Sequence, residues 1–268
     1  MLHSSDIVAP DKRTPGVTQI DPVIFPVLDK LYARRIQRLN TQAEALGENG
    51  KYFRFLTQLV QAQQQRLVHH PLGSDEAATI LALLGHKHDH AYLQTSLLNI
   101  PYWQETYTTL VGQVAPMLPS AAGDKLAGLS ANKELLARAA AHLLHLDYQQ
   151  VDAGVAVVLW AALSTSWAQA VSLSQAQMQQ PSTTQSAHCP CCHAPPVASL
   201  VLGGAREGLR YLQCSLRDVR WHRVRAVCVV CCSRGQIVHW TLDDANSAIQ
   251  LAPRRACPPY LKTFRLDY

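Results

Sequence analysis

The distribution of cysteine is the feature of this 268-residue chain that most restricts its fold. All eight cysteines lie between Cys189 and Cys257, and the first 188 residues contain none. Two C-x2-C pairs are each followed, after more than twenty residues, by a single cysteine. Tetrahedral metal sites are built from such thiolate knuckles. The spacing therefore predicts metal ligation in a reducing compartment and not a disulfide framework.

The cysteine region is an internal duplication. A shift of 39 residues superposes the two C-x2-C pairs, and a shift of 40 superposes the positions that follow them. The two predicted ligand sets are Cys189, Cys192, Cys214 and Arg217 in the first half and Cys228, Cys231, Arg254 and Cys257 in the second. Each set has three thiols and one arginine, and a guanidinium cannot coordinate a cation because it keeps its protons. Both sites are incomplete on this pairing.

Three hypotheses can explain how the two sites manage without a fourth cysteine. In the first, a neighbouring side chain completes each site. The candidates are His188, Cys191, His193 and His222 for the first site and Cys232 and His239 for the second. In the second, the four C-x2-C cysteines form one complete site and Cys214 and Cys257 stay free. In the third, metals are held weakly or are absent and packing maintains the fold. Thiolate spacing alone does not distinguish iron from zinc.

Residues from Asp21 to about Gln180 have the apolar periodicity of helices. One predicted helix begins near Leu28 and stops at Gly47, and further predicted segments complete a bundle of roughly five or six helices. The polar stretch Gln179–Ala187 predicts a linker. Beyond it, short runs rich in β-branched and aromatic residues predict hairpins around the metal knuckles.

Composition and terminal sequence restrict the class of protein. The 48% hydrophobic content is that of a globular chain, and the net charge of +5 comes largely from C-terminal arginines, which we expect to be solvated. Met1–Asp21 lacks the apolar core of an export signal, and Val151–Leu163 is too short to cross a bilayer, so we expect a cytoplasmic protein with a buried helix there. No phosphate-binding loop or catalytic motif occurs, so an enzyme is not expected.

Three histidines alternate in the segment GHKHDH. His86, His88 and His90 would share one side only if the segment were extended, in which case they could bind a divalent ion. Solvated loop histidines are the simpler interpretation.

The order of motifs in the chain resembles the formate dehydrogenase accessory protein family. The motifs are HCPCC at 188–192, PVAS at 196–199, GLRYLQC at 208–214, WHRVR at 221–225, HWTLDD at 239–244 and YLK at 260–262. In the helical half, FPVLDKLYARR at 25–35 and WAAL at 160–163, followed by WAQ at 167–169, are similar to the same family. The resemblance covers about residues 21–267.

The resemblance implies an α+β fold. It comprises a flexible N-terminus at 1–20, an all-helical bundle at 21–180 and two small rubredoxin-like or zinc-ribbon-like modules, here called the first cysteine module (187–227) and the second cysteine module (228–268). The family's usual four C-x2-C knuckles form two iron sites, and this chain departs from that pattern at Arg217 and Arg254. The implied role is a non-catalytic, chaperone-like maturation factor that binds the catalytic subunit of respiratory formate dehydrogenase.

Two other functions remain open at this point. A thiol released by the missing ligands, Cys191 or Cys232, would support redox or sulfur-handling chemistry. The arginine cluster and the sequence pI of 8.8 are compatible with a zinc-ribbon protein that binds nucleic acid. The sequence also leaves homodimerisation open.

Overall fold

The chain folds into a helical bundle and one mixed sheet. The computed structural model describes residues 20–84, 89–175, 186–203, 208–225, 227–233, 240–241, 249–251, 257 and 261–266. The helices are α1 (Leu28–Ala45), α2 (Lys51–His69), α3 (Ser74–Leu84), α4 (His90–Leu98), α5 (Pro101–Val114), α6 (Ser120–Ala131), α7 (Lys133–Leu144) and α8 (Ala153–Leu173). The strands are β1 (Val23–Ile24), β2 (Ala198–Leu202), β3 (Arg210–Gln213), β4 (Arg220–His222), β5 (Trp240–Thr241), β6 (Ile249–Leu251) and β7 (Lys262–Leu266). The predicted α+β class is confirmed.

The described residues contain eight α-helices, more than the five or six predicted. The additional helices are short: α3, α4 and α6 have 11, 9 and 12 residues. At the start of α4, the Asp89 side chain accepts a hydrogen bond of 2.8 Å from the backbone N–H of Tyr92.

Helix α8 lies at the centre of the bundle and packs against α2, α3, α5 and α7. Its N-terminus is capped by Asp152, whose Oδ1 accepts hydrogen bonds from the backbone N–H groups of Gly154 and Val155. Among the described helices it alone is long and apolar enough to cross a membrane, but 78% of its most apolar window is buried inside the fold. The helix extends beyond the predicted apolar run to Leu173, so the expectation that this segment is too short to span a bilayer is wrong, whereas the prediction of a buried core helix is confirmed.

The seven described strands form one sheet in the order β1-β4-β3-β2-β7-β6-β5. Strands β2 and β7 run parallel, with Ser199 opposite Thr263, and every other pairing is antiparallel. Because β2 belongs to the first cysteine module and β7 to the second, this parallel pair joins the two modules in one sheet.

The sheet and the bundle share one hydrophobic core. Trp221 and Leu212 of the sheet belong to the same buried cluster as Trp103 and Trp167 of the helices. Strand β1 reaches the sheet from the helical side and pairs Val23 with Trp221. The cysteine modules are therefore fixed against the bundle by apolar burial.

Several predictions concern residues outside the described part of the chain. These are most of the N-terminus at 1–20, most of the linker Gln179–Ala187, and His86, His88, His239 and Arg254. The domain boundaries accordingly remain predictions.

Candidate metal centres

The first C-x2-C pair forms a tight backbone knuckle. The backbone N–H of Cys189 donates to the carbonyl of Ala194 at 2.9 Å, and that of His193 donates to the carbonyl of Cys189 at 2.9 Å. His193 has a φ of 57°, in the left-handed region that reverses the chain after the second cysteine. This turn directs Cys189 and Cys192 to the same side.

The second C-x2-C pair repeats this geometry. The backbone N–H of Cys228 donates to the carbonyl of Ser233 at 3.0 Å, and that of Cys232 donates to the carbonyl of Cys228 at 3.1 Å. Cys232 has a φ of 57°, as His193 does. The shift of 39 residues thus superposes equivalent hydrogen bonds as well as equivalent cysteines.

Each single cysteine lies beside the knuckle of its own half. The Sγ atoms of Cys189, Cys192 and Cys214 all lie within 4.8 Å of one another, as do those of Cys228, Cys231 and Cys257. We call these sets the first thiol group and the second thiol group. The Cys192 and Cys214 sulfurs are 3.6 Å apart, close to the ~3.8 Å edge of a tetrahedron with metal–sulfur bonds of about 2.3 Å. The six thiols lie in two groups and not in one four-thiolate site.

Arg217 is the residue that stands in the sequence where the fourth ligand of the first set is expected. Its side chain is 1% exposed, and Nη1 donates to the carbonyl of Cys191 at 2.9 Å. Nε and Nη2 are buried and have no hydrogen-bond partner among the described atoms. A buried guanidinium with two unpaired donors is costly unless a negative charge lies nearby. Thiolates of the first thiol group would supply that charge.

Arg223 stands in a similar relation to the second knuckle. It is 2% exposed, and its Nη2 donates to the Cys232 sulfur at 3.2 Å. Arg210 is also buried and donates to the carbonyls of Arg223, Val224 and Val227, at 3.2, 2.5 and 2.8 Å. It therefore holds the chain that leads into the second knuckle.

The expectation that the C-terminal arginines are solvated is wrong for Arg210, Arg217 and Arg223. These side chains are 6%, 1% and 2% exposed. The alternation of residues along the strand could have indicated that Arg223 is buried, because Arg223 falls on the same face as Val219 and Trp221, which are fully buried. No comparable sequence signal distinguishes Arg210 or Arg217.

Hydrogen bonds shift the pKa values of the thiols in the first thiol group in opposite directions. Hydrogen bonds from Cys189 and Cys214 lower the pKa of the Cys192 thiol to about 2, and the charge of Arg217 acts in the same direction. Hydrogen bonds to Cys191, Cys192 and Cys214 raise the pKa of Cys189. In the second thiol group, burial and the thiols of Cys231 and Cys228 raise the pKa of Cys257 to about 11. A bound cation would displace these thiol protons.

The predicted substitute ligands occupy different environments. The Cys191 thiol contacts Cys189, which lowers the pKa of Cys191, and Arg217 adds to that effect. His188 and His193 are exposed. His222 packs edge-on against Tyr211, with ring centroids 5.7 Å apart. Of the described candidates for the first site, Cys191 is in contact with a member of the first thiol group.

Comparisons with known proteins agree with the arrangement described above. A family profile described as FdhE, N-terminal, matches residues 20–184, and one described as FdhE, central domain, matches residues 188–225. Protein FdhE of Escherichia coli K12 and that of Escherichia coli O157:H7 are each 32% identical over 263 residues, which is 98% of this chain and 84% of the relative.

A solved structure is similar across the same regions. The crystal structure of the FdhE protein from Pseudomonas aeruginosa aligns with a TM-score of 0.69 at 26% identity, covering 91% of this chain and 85% of that one. Sequence and fold thus agree over both the helical bundle and the cysteine modules. The chain belongs to the FdhE family.

Proposed function

We propose that this chain is a non-catalytic accessory protein that acts in the cytoplasm on the catalytic subunit of a respiratory formate dehydrogenase during maturation. Identity of 32% over 98% of the chain with Protein FdhE is the observation that supports this role best. The helical bundle and the sheet share a core, so the proposed partner would meet one continuous folded body. The cysteine modules would be part of that body.

We also propose that the two thiol groups hold iron or zinc and that the metals maintain the shape of the cysteine modules. The donor set fits, since three thiols converge in each group within 4.8 Å. Three thiolates around a divalent cation have a net charge of −1 and four have a net charge of −2, so the single charge of Arg217 would offset all or half of the negative charge in the first site. Such a site would be structural unless an iron ion also changed oxidation state.

Cys191 is our proposed fourth ligand of the first site. It is partly buried, already in contact with Cys189, and has a lowered pKa. The fourth ligand of the second site belongs among Cys232, whose sulfur accepts from Arg223, and His239.

The partner is tested by co-purification. The chain would be co-expressed without oxygen with the catalytic subunit of a formate dehydrogenase from the same genome, and with another molybdenum enzyme's catalytic subunit as a control. We expect a stable complex with the first subunit and none with the second. Absence of a complex with the first, or equal binding to both, would refute the proposed partner.

The metal is tested by elemental analysis and visible spectroscopy of protein purified without oxygen. About two metal ions per chain are expected, and a ferric-thiolate band after oxidation would identify iron. A colourless protein with about two zinc ions would indicate a structural role. A folded and stable protein that contains no metal would contradict the metal proposal while leaving the accessory role standing.

A second candidate function is thiol chemistry at Cys191. The observation that favours it is the lowered pKa of this partly exposed thiol, caused by its hydrogen bond with Cys189 and by Arg217. Alkylation of the metal-loaded protein distinguishes the two roles, because a ligand sulfur is protected and a reactive thiol is modified. Alkylation of Cys191 would exclude its role as a metal ligand. If maturation activity is then unchanged, a role in thiol chemistry is excluded too.

Binding of nucleic acid is the weakest of the three hypotheses. Its basis was the arginine cluster, and Arg210, Arg217 and Arg223 are buried. Buried guanidinium groups cannot contact phosphates. Their positions favour an internal role in the cysteine modules.

A further inference from the structure

Three histidines meet where the start of α4 contacts the end of α7. His90 is the first residue of α4, and His142 and His145 lie at the end of α7. The ring centroid of His90 is 4.1 Å from that of His142 and 5.7 Å from that of His145. His90 is also the last histidine of the GHKHDH segment, so the fold adds two histidines that are distant in sequence.

Two ring nitrogens of this cluster lack hydrogen-bond partners. His90 Nε2 and His142 Nδ1 are buried and unpaired among the described atoms. A buried polar atom without a partner destabilises the fold unless a ligand pairs with it. A neutral imidazole has an unshared electron pair, as a metal ligand requires.

A carboxylate is folded back onto the same cluster. The backbone N–H of Asp147 donates to the carbonyl of His142 at 2.9 Å, and that of Leu146 donates to the carbonyl of Leu143 at 3.0 Å. Leu146 has a φ of 66°, so the helix ends in a left-handed turn at a residue other than glycine. This turn places Asp147 Oδ2 at 3.8 Å from His142 Nδ1.

One member of the cluster, His142, faces a cleft that is open to solvent. His142 lines a cleft of about 600 Å³ between α6, α7 and the start of α8, together with Gln150 and Arg138. Arg138 adds a positive charge that opposes a cation, and Asp147 offsets it. His145 is exposed, so its side chain can turn toward His90 and His142 without repacking the core.

We propose that His90, His142 and His145, with Asp147, form a third metal site, in the helical bundle, that binds a divalent first-row cation such as Zn²⁺. Imidazole nitrogens with one carboxylate oxygen are a donor set that Zn²⁺ accepts in tetrahedral geometry. The site contains no sulfur, so it is chemically distinct from the two thiol groups. It also stands independently of the proposed accessory function.

The test uses the full chain after the cysteine sites have been saturated with Zn²⁺. Further Zn²⁺ is titrated calorimetrically, and bound metal is counted after dialysis. We expect one additional ion per chain. His145→Ala should weaken this binding by at least about tenfold, because loss of even an outer-sphere partner of a metal site typically costs that much. His145 is exposed, so this variant should fold normally.

Two controls make the result specific. His69→Ala removes an exposed histidine at the end of α2 and should leave the additional ion in place. The number of zinc ions bound before the titration, which reports the two thiol groups, should be the same in His145→Ala and the parent protein. The proposal is overturned if the parent binds no additional Zn²⁺, if His145→Ala binds as the parent does, or if His69→Ala weakens binding equally.

Discussion

Arg35 of α1 and Asp218 of the first cysteine module form an ion pair across 183 residues of sequence, with Nη2 and Oδ1 2.6 Å apart. Asp218 is 8% exposed and has a φ of 54°, a conformation that aspartate tolerates better than most residues. Gln213 Nε2 donates to the same carboxylate oxygen at 3.0 Å. The pair therefore connects the bundle to the loop between Arg217 and β4.

Removing the arginine of this pair should destabilise the protein in a pH-dependent way. Burial raises the pKa of Asp218, and Arg35 opposes that rise. In Arg35→Ala the buried carboxylate loses its cation, and we expect a cost of about 1–3 kcal/mol at neutral pH. A carboxyl group whose pKa is higher in the folded state than in the unfolded state makes the protein less stable as the pH rises from the unfolded pKa through the folded pKa. The difference in free energy of unfolding between the parent and Arg35→Ala should therefore become smaller as the pH falls and Asp218 is protonated.

Urea denaturation of Arg35→Ala and the parent across acid and neutral pH measures this deficit. Arg34→Ala is the matched control, because Arg34 is exposed on the same helix and its loss should change stability by less than about 0.5 kcal/mol. A deficit that is the same at every pH would show that the charge of Asp218 is not its cause.

Arg217→Cys should complete the first thiol group. The Cys214 sulfur accepts a hydrogen bond from the backbone N–H of Arg217, so position 217 stands where the second cysteine of a C-x2-C knuckle would stand. With the proposed ligand Cys191 replaced by Ser in every protein of the set, the variant should bind Co²⁺ with the absorption of a four-thiolate site and with higher affinity than the protein that keeps Arg217. Arg217→Met separates the loss of positive charge from the gain of a thiolate, since it removes the charge and adds no thiolate. It should weaken metal binding at the first thiol group. Equal binding by all three proteins would contradict the assigned position.

The two thiol groups should bind metal independently. Cys192→Ser and Cys231→Ser each remove one ligand from one group, and each variant should hold about one metal ion fewer than the parent. Elemental analysis after purification without oxygen provides the count. Loss of both ions in either variant would indicate a shared site and not two separate ones.

Arg210→Met should damage the second cysteine module more than the first. The substitution removes the hydrogen bonds to the carbonyls of Arg223, Val224 and Val227 and leaves those groups buried. Metal at the second thiol group should be lost first on titration with a chelator, while the first thiol group keeps its ion. Arg210→Lys retains the charge but not the planar set of donors, so it should restore little. A second thiol group that resists the chelator as well as in the parent would refute this role of Arg210.

Local patterns in the sequence were sufficient to identify the knuckles and the long helices. The C-x2-C spacing and the chain reversal after it depend on a few adjacent residues, and His193 and Cys232 adopt the same left-handed conformation in both copies. The apolar run Val151–Leu163, which is interrupted by Asp152 and followed by Ser164, Thr165 and Ser166, predicts the buried helix α8. The assignment of Cys214 to the first pair and Cys257 to the second followed from the duplicated spacing, and both thiols lie beside the expected pairs.

Tertiary structure decided the features that depend on distant contacts. Pairing of β2 with β7, attachment of β1 beside Trp221, and the meeting of His90 with His142 join segments that no local pattern relates. The burial of Arg217 could not be read from sequence, because arginine is ordinarily solvated and is buried only where hydrogen bonds or neighbouring charge compensate it. Sequence by itself determined which residues could bind metal; the packing of the sheet on the bundle decided which charges surround them.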